Sequence, residues 1–273
     1  MSTEIPVSFA QQYKESFILL SQQRGSKLRG GVRTDPDFLK GKAGYFDRIG
    51  STAMQRRTSR HQDTPLISTP HSRRRVTMED WIWADLIDAA IYASMGGNAY
   101  SMDEDDAAST VALPAGQKVA VNNHAFDSGS GDVGLTVGKL IAAKKVLWAN
   151  NVDVDNEQLF LLANGHQLGK MLAETEVQSR DYNDVYALVQ GQVNQFMGFN
   201  IVHYESVSTD ASSDELVYAW AMSGVGLAMG MEPTVRVSER ADKNYSTQVH
   251  VEQSMGATRI EDEKVVEIAC DPS

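Results

Sequence analysis

Residues 46–83, FDRIGSTAMQRRTSRHQDTPLISTPHSRRRVTMEDWIW, are the stretch around which the rest of the chain is organised. The stretch is rich in arginine and has little of the apolar periodicity that would bury it against its own domain. Two short arms of alternating residues flank a tip rich in Thr, Ser and Pro, which is the pattern of a long β-hairpin. We therefore predict a hairpin that projects from the body of the protein. Its cationic residues are Arg48, Arg56, Arg57, Arg60, Arg73, Arg74 and Arg75.

The 273-residue chain is 42% hydrophobic, which is enough to bury the core of one or two domains. Its charge is distributed unevenly. Residues 1–75 hold 14 Lys and Arg against 6 Asp and Glu, whereas the remaining residues hold 11 against 30. The protein therefore combines a basic arm with an acidic body. Such a chain can pair arm to body between its own copies, or it can bind nucleic acid through the arm.

The arginines of the second hairpin arm are expected to need partners on both faces of a strand. Side chains alternate in a strand, so Arg73 and Arg75 point to one face and Arg74 to the other. An exposed ion pair contributes only about 0–1 kcal/mol, but bidentate arginine contacts at a partly dry interface are stronger and geometrically specific. We expect acidic groups of another copy of the chain, rather than the chain's own fold, to match these arginines.

The residues before the hairpin are predicted to form a strap. Apolar residues at 9, 13, 17, 19 and 20 favour an amphipathic helix or an extended arm, and glycines at 25, 30 and 31 interrupt the segment between this arm and the hairpin. Short apolar pieces without a core of their own are stabilised only by docking. A neighbouring chain is the expected docking site, and packing on the chain's own body is the alternative.

The remaining pattern predicts an α+β fold without regular βαβ alternation. Thr77 is expected to cap a helix that runs to about Ser94. Further helices are expected over residues 135–147 and 167–173, and a short glycine-rich helix or turn over 224–229. Strands are expected over residues 118–121, 159–163, 200–205 and 216–221, with two terminal strands around 248–252 and 260–268.

The motifs of common enzymes and metal sites do not fit. Residues 165–170, GHQLGK, lack one residue and the metal-binding hydroxyl of a phosphate loop. The six histidines have no zinc-ligand spacing, and no nucleophile elbow occurs. Cys270 is the only cysteine, which excludes an intrachain disulfide and fits a reducing compartment. No run is long and apolar enough to span a membrane. We expect no catalytic residue, cofactor or metal, and no membrane contact.

Several segments closely resemble one family of proteins. These segments are FDRIG, RTSRHQDTPLISTPHSRRRVT, WADLID, ALPAGQKV and ETEVQSRDYNDVYALVQGQVNQFMGF. They are similar to the major capsid proteins of tailed bacteriophages with the Hong Kong 97-like fold, and the resemblance covers about residues 21–206. It implies an N-terminal arm (1–43), an extended loop that lies over a neighbouring subunit (44–77), a peripheral domain (78–106 and 233–273) and an axial domain (107–232).

The chain departs from that family at one point. After WADLID the family continues through a long spine helix, whereas this chain passes within a few residues to AAIYASMGG. Some members also join a loop lysine covalently to an asparagine, but no lysine occurs here between Lys42 and Lys118. We therefore expect a shell without covalent cross-links.

The resemblance implies a structural, non-enzymatic protein that forms the hexamers and pentamers of an icosahedral phage head around double-stranded DNA. Its expected partners are other copies of itself, a portal protein, and scaffolding or decoration proteins, with assembly in the cytoplasm of the host bacterium. Packaged DNA would lie close by without specific contacts. The alternative is a nucleic-acid-binding protein that uses its basic arm and loop, which predicts binding that falls steeply as salt rises.

Overall fold

The structure is a computed structural model that describes residues 26–35, 43–50, 71–77, 79–81, 87–102, 108–124, 129, 131–173, 195–240 and 246–273. The expectations for residues 5–21 and for the hairpin tip, 51–70, lie outside the described residues. The described helices are α1 (Ile87–Gly96), α2 (Val137–Ala149) and α3 (Gly165–Ala173). The described strands are β1 (Arg33–Asp35), β2 (Ala43–Ile49), β3 (His71–Thr77), β4 (Glu79–Trp81), β5 (Ala99–Met102), β6 (Ala108–Val111), β7 (Lys118–Val119), β8 (Leu159–Ala163), β9 (Gln195–Phe196), β10 (Phe199–His203), β11 (Glu215–Ala221), β12 (Val225–Arg240), β13 (Ser246–Arg259) and β14 (Val265–Cys270).

These strands form three sheets. A six-stranded sheet has the order β7-β14-β11-β8-β10-β9, and two four-stranded sheets have the orders β1-β12-β13-β4 and β2-β3-β5-β6. Parallel and antiparallel pairs are mixed, since β8 pairs parallel with β10 and antiparallel with β11. The predicted α+β class is confirmed.

The six-stranded sheet is covered by apolar groups on both faces. Strand β8 shows why its sequence, LFLLA, is continuously apolar. Leu159 and Leu161 pack into a core with α2, whereas Phe160 and Leu162 pack on the opposite face against a core that contains residues of α1. A strand buried on both faces loses the usual polar alternation.

The predictions for the middle of the chain are largely confirmed. Strand β8 has the predicted bounds, α2 and α3 lie where helices were expected, and β10, β11, β13 and β14 match predicted strands with shifted ends. Helix α2 begins after Thr136, whose hydroxyl oxygen accepts a hydrogen bond from the backbone N–H of Lys139 at 3.2 Å. This is ordinary N-capping by a threonine.

Two predictions about local structure are wrong. Thr77 caps no helix: it ends β3, opposite Ala43, and residues 79–81 form β4, which pairs with β13. Residues 225–229 form the start of β12 rather than a glycine-rich turn. A Cβ on Gly226 would lie 2.8 Å from the ring of Phe46, so this glycine allows β12 and the hairpin to approach closely.

The strap packs on the chain's own body within residues 26–35, contrary to the expectation of a neighbouring chain. Leu28 and Val32 are buried in the core that contains α1. The indole N–H of Trp220 donates to the carbonyl of Gly31 at 2.8 Å. Asp88 accepts hydrogen bonds from the hydroxyl of Ser26 at 2.5 Å and from the backbone N–H of Leu28 at 3.2 Å. Two apolar side chains and a specific polar contact are enough to dock so short a segment.

The sheets do not divide at the predicted domain boundaries. Strand β12 runs through the position between residues 232 and 233, and β14 pairs with β11 in the six-stranded sheet. The domain boundaries themselves stay a prediction.

Candidate functional site at the base of the hairpin

The base of the predicted hairpin is an antiparallel pair in which β2 and β3 run in register from Ala43 opposite Thr77 to Ile49 opposite His71. Strand β3 also pairs with β5. The alternation predicted for the arginines is present, since Arg73 is exposed and Arg74 is only 2% exposed. The hairpin base therefore has one face on the body and one face toward the outside.

The buried face is apolar around its arginine. Phe46 and Val76 pack with Ala228 of β12 and with Ile260, which follows β13. The polar contact of the same face is made by the carboxylate of Asp262, which lies in a single 3-10 turn between β13 and β14.

Two guanidinium groups share the carboxylate of Asp262. Arg74 donates from Nη2 to Oδ2 at 2.6 Å and from Nε to the carbonyl of Ile260 at 3.3 Å. Arg259 donates from Nε to Oδ1 at 2.5 Å. The side chains of both arginines and of Asp262 are at most 7% exposed. The cluster is therefore nearly dry and carries one more positive than negative charge.

Burial disfavours the charged form of Arg74. Its Nη1 is buried and has no hydrogen-bond partner among the described residues. Burial lowers the pKa of Arg74, and the nearby carboxylate of Asp262 opposes that shift. A buried ion pair adds little net stability, but removing one partner leaves an uncompensated buried charge. The cluster consequently constrains how β3 sits on the body.

Arg259 links this cluster to other elements. Its Nη1 donates to the carbonyls of Met95 and Gly97 at 2.8 Å each, and its Nη2 donates to the carbonyl of Val111 at 3.0 Å. These carbonyls belong to the end of α1, the residue after that helix, and β6. One buried side chain therefore ties the hairpin sheet, the first helix and the turn at Asp262 together.

A second ion pair lies at the rim of the cluster. Arg48 donates from Nη2 to both carboxylate oxygens of Glu263, at 2.9 Å and 2.8 Å. Burial raises the pKa of Glu263, but a backbone hydrogen bond and Arg48 outweigh burial, so the pKa lies below its usual value of 4.5. Arg73 pairs with Asp47 at 2.9 Å on the exposed face, where both side chains are more than half exposed.

The outward face carries two tyrosine side chains on either side of Arg75. Tyr45, Arg75 and Tyr100 lie directly opposite one another on β2, β3 and β5. The two tyrosines are 41% and 48% exposed, and Ile49 on the same hairpin is 69% exposed. The Nε atom of Arg75 is buried, and no hydrogen-bond partner for it lies in the part of the chain that the structure describes. Tyrosine and arginine are enriched at the centres of protein–protein interfaces.

The expectation that the chain's own fold leaves the loop arginines unmatched is wrong for three of them. Arg48, Arg73 and Arg74 each have a carboxylate partner within the chain. The partners of Arg48 and Arg74 lie 215 and 188 residues later in the sequence, so only the folded chain brings them to the hairpin. Arg56, Arg57 and Arg60 lie outside the described residues. Contacts of the loop arginines with another subunit stay a prediction.

Sequence reasoning missed the acidic turn and Arg259. The turn has a local signal, because residues 261–264, EDEK, concentrate charge between two strands. Arg259 has no such signal, since an arginine at the end of an alternating strand is usually exposed.

The described residues contain no group of three or more His, Cys, Asp or Glu that could hold a metal ion. Among the helices in the described ranges, none is long and apolar enough to cross a membrane.

The family model of the phage capsid proteins matches residues 5–90 and 87–272. The chain belongs to this family. Phage capsid proteins are structural rather than enzymatic, and this one is a shell protein of the virion that associates with its own copies. The two matched stretches meet at residues 87–90, where the chain departs from the resemblance and where the ten-residue helix α1 begins.

Solved phage capsids share the fold of this capsid protein at low sequence identity. The capsid of cyanophage Pam1 is 12% identical with a TM-score of 0.64, over 90% of this chain and 92% of that chain. The capsid of Ralstonia phage GP4 is 10% identical with a TM-score of 0.62, over 89% and 88%. The capsid of cyanophage P-SCSP1u is 15% identical with a TM-score of 0.59, over 89% and 87%. No curated protein sequence matches. The predicted Hong Kong 97-like fold of a major capsid protein is confirmed.

Proposed function

We propose that this major capsid protein forms hexamers and pentamers that close into an icosahedral head around double-stranded DNA. Its copies assemble in the cytoplasm of the host bacterium with a portal protein and with scaffolding or decoration proteins. The extended loop, residues 44–77, contains no lysine, so the shell forms without covalent links through this loop.

The observation that carries the proposal is the division of the hairpin base into two faces. Arg74 and Asp262 hold one face against the body. On the other face, the exposed side chains of Tyr45 and Tyr100 flank the part-buried Arg75, which suits contact with a further copy. A hairpin that is fixed at its base and free on its outer face can reach a neighbour in a constant direction.

The loop arginines then have two roles in the proposed shell. Arg48 and Arg74 hold the loop, residues 44–77, in its direction by pairing within the chain. Arg73 and Arg75 of the outward face contact a neighbouring subunit, as do Arg56, Arg57 and Arg60 of the tip. The arm (1–43), the peripheral domain (78–106 and 233–273) and the axial domain (107–232) complete the proposed layout, in which β12 and β14 connect the two domains.

Electron microscopy of the purified chain tests the proposal. We expect regular shells for the wild type and none for an Arg73→Glu, Arg75→Glu variant in the absence of DNA. The control is Arg73→Lys, Arg75→Lys, which keeps both charges and is expected to assemble. Neither variant changes the buried cluster, so both should fold, and the charge reversal should cost about 1 kcal/mol or less of stability through the exposed Arg73–Asp47 pair. Shells formed normally by the charge-reversal variant would contradict the role of the outward face.

The alternative of nucleic-acid binding makes a different prediction. A basic arm that neutralises phosphates would bind DNA with an affinity that falls steeply between low and moderate salt. It would form no particles without DNA. Filter binding at several salt concentrations, together with the micrographs, therefore separates the two functions.

A further inference from the structure

A groove of about 640 Å³ lies between the end of α1, β7 and residues 208–216. Glu267 forms part of its lining, and its carboxylate already has hydrogen-bond donors within the chain. The Glu267 carboxylate accepts hydrogen bonds from the hydroxyl of Tyr218 at 3.2 Å and from the ammonium of Lys118 at 2.9 Å. The charge of this pair is therefore balanced within the groove.

A second carboxylate in the groove lacks such a partner. Asp214 lines the groove and is 7% exposed, yet no donor among the described residues meets its carboxylate oxygens. The nearby ammonium of Lys139 donates instead to the carbonyls of Val133 and Ala269, at 2.5 Å and 2.7 Å. The residue is more than nine-tenths buried, so its unpaired carboxylate is only partly hydrated, which raises the cost of keeping it ionised.

The surroundings of Asp214 are acidic. Burial raises its pKa, and the carboxylates of Asp210, Asp132 and Asp271 raise the pKa further, whereas Lys139 lowers it. Asp210 also lines the groove. Its Oδ1 accepts hydrogen bonds from the backbone N–H groups of Ser212 and Asp214, at 2.8 Å and 3.0 Å, which hold it in place. Asp210 and Asp214 leave the groove with two negative charges beyond the balanced pair of Glu267 and Lys118.

A guanidinium group fits this chemistry. It remains charged at all accessible pH values and presents a planar set of donors that matches carboxylate oxygens. Tyr92 and Tyr218 also line the groove, but both are buried and their rings pack edge to face, so the carboxylates are the partners that a cation would meet.

The chain itself supplies a segment of the required charge. Residues 51–70, STAMQRRTSRHQDTPLISTP, contain Arg56, Arg57 and Arg60 and one acid, Asp63. In the sequence they connect the two strands whose last paired residues are Ile49 and His71. We propose that the groove binds the arginine-bearing tip of the extended loop of a second copy, with Asp214 and Asp210 accepting its guanidinium groups. This inference rests on the proposed function, because the shell brings a second copy within reach.

Peptide binding to the unassembled full-length chain tests the groove without requiring a shell. The probe is a fluorescent peptide of residues 51–70, and its anisotropy is followed as the chain is added. Asp210→Asn, Asp214→Asn removes both charges but keeps the acceptor oxygen that supports the turn, and we expect it to weaken binding by about tenfold or more. The matched control is Asp153→Asn, Asp155→Asn, which removes two acids away from the groove and should bind like the wild type.

A second probe tests the ligand side. A peptide with alanine at positions 56, 57 and 60 should bind at least about tenfold more weakly than the native peptide. Equal binding of the native peptide to the wild type and to the Asp210, Asp214 variant would overturn the inference, as would no binding to the wild type. Micrographs of the same preparations give an independent result: peptide binding without shells would reject the proposed function and keep the groove, whereas shells without peptide binding would do the reverse.

Discussion

Arg74 of the hairpin and Asp262 of the turn before β14 form a buried ion pair across 188 residues of sequence, with 2.6 Å between Nη2 and Oδ2. The second oxygen of the same carboxylate is held by Arg259. The direction in which the loop leaves the body is therefore set by a group at the far end of the chain. Substitution of Asp262 is therefore expected to affect the loop although the sequence of the loop is unchanged.

Replacement of Arg74 by alanine is expected to destabilise the unassembled subunit by about 1.5–3 kcal/mol, because it removes a buried hydrogen bond to a charged group while Arg259 still balances the charge of Asp262. Arg73→Ala, one residue away, removes an exposed pair and should cost less than about 1 kcal/mol. Urea unfolding of both variants measures the difference. Similar losses for the two would show that the cluster does not anchor the hairpin.

Glu263→Gln is expected to lower the free energy of unfolding in a pH-dependent way. The pKa of Glu263 lies below 4.5 in the folded chain, so its ionised form stabilises the fold above that pH. The advantage of the wild type over the variant should be constant near neutral pH and decline as pH falls through the lowered pKa. Unfolding curves at a series of pH values check this, and an advantage that grows on acidification would contradict it.

Asp214→Asn is expected to raise the free energy of unfolding at neutral pH, in contrast to Glu263→Gln. The folded pKa of Asp214 is raised above 3.8, so the ionised group opposes folding above that range. The variant should therefore be more stable than the wild type at neutral pH, and the gain should vanish below the ordinary pKa. Asp153→Asn is the control, because hydrogen bonds from Asn156 lower the pKa of Asp153 and the variant should lose stability. Thermal unfolding at pH 7 and at low pH distinguishes the two signs.

Gly96→Ala is expected to destabilise the subunit by about 1–3 kcal/mol, through overpacking. A Cβ at this position would clash with the hydroxyl of Tyr218, which donates to Glu267. Gly169→Ala in α3 meets nothing within 4 Å and should be neutral or stabilising by up to about 1 kcal/mol. Denaturant unfolding of the pair tests the contact, and equal effects would refute it.

Leu28→Ala is expected to cost about 2–5 kcal/mol in the isolated subunit, since the side chain is fully buried in the chain's own core. Ile49→Ala, at a side chain that is 69% exposed, should change subunit stability little. Chemical unfolding of unassembled chains compares them. If residues 26–35 docked only on a neighbour, the Leu28 variant would behave like the Ile49 variant.

The local sequence pattern was sufficient to predict a helix or strand where no distant element changes the structure that the pattern favours. The run LFLLA predicted β8 because a strand covered on both faces must be apolar throughout, and the apolar spacing of residues 135–147 predicted α2. The pattern misled where a distant element competed. Thr77 has the sequence of a helix cap, but it pairs with Ala43 at the end of β3. Gly226 has the sequence of a turn residue, but it lies in β12, where the ring of Phe46 leaves no room for a side chain.

The sequence by itself determined that a basic, alternating hairpin belongs to an otherwise acidic chain and that the chain is a phage capsid protein, since charge, alternation and family motifs are all written in local residues. Only the tertiary structure decided which arginines are already matched. Arg74 and Arg73 are adjacent and chemically identical, yet one is buried against Asp262 and the other is exposed. An ion pair depends on the distance between two groups in space, and that distance is set only after the chain has folded.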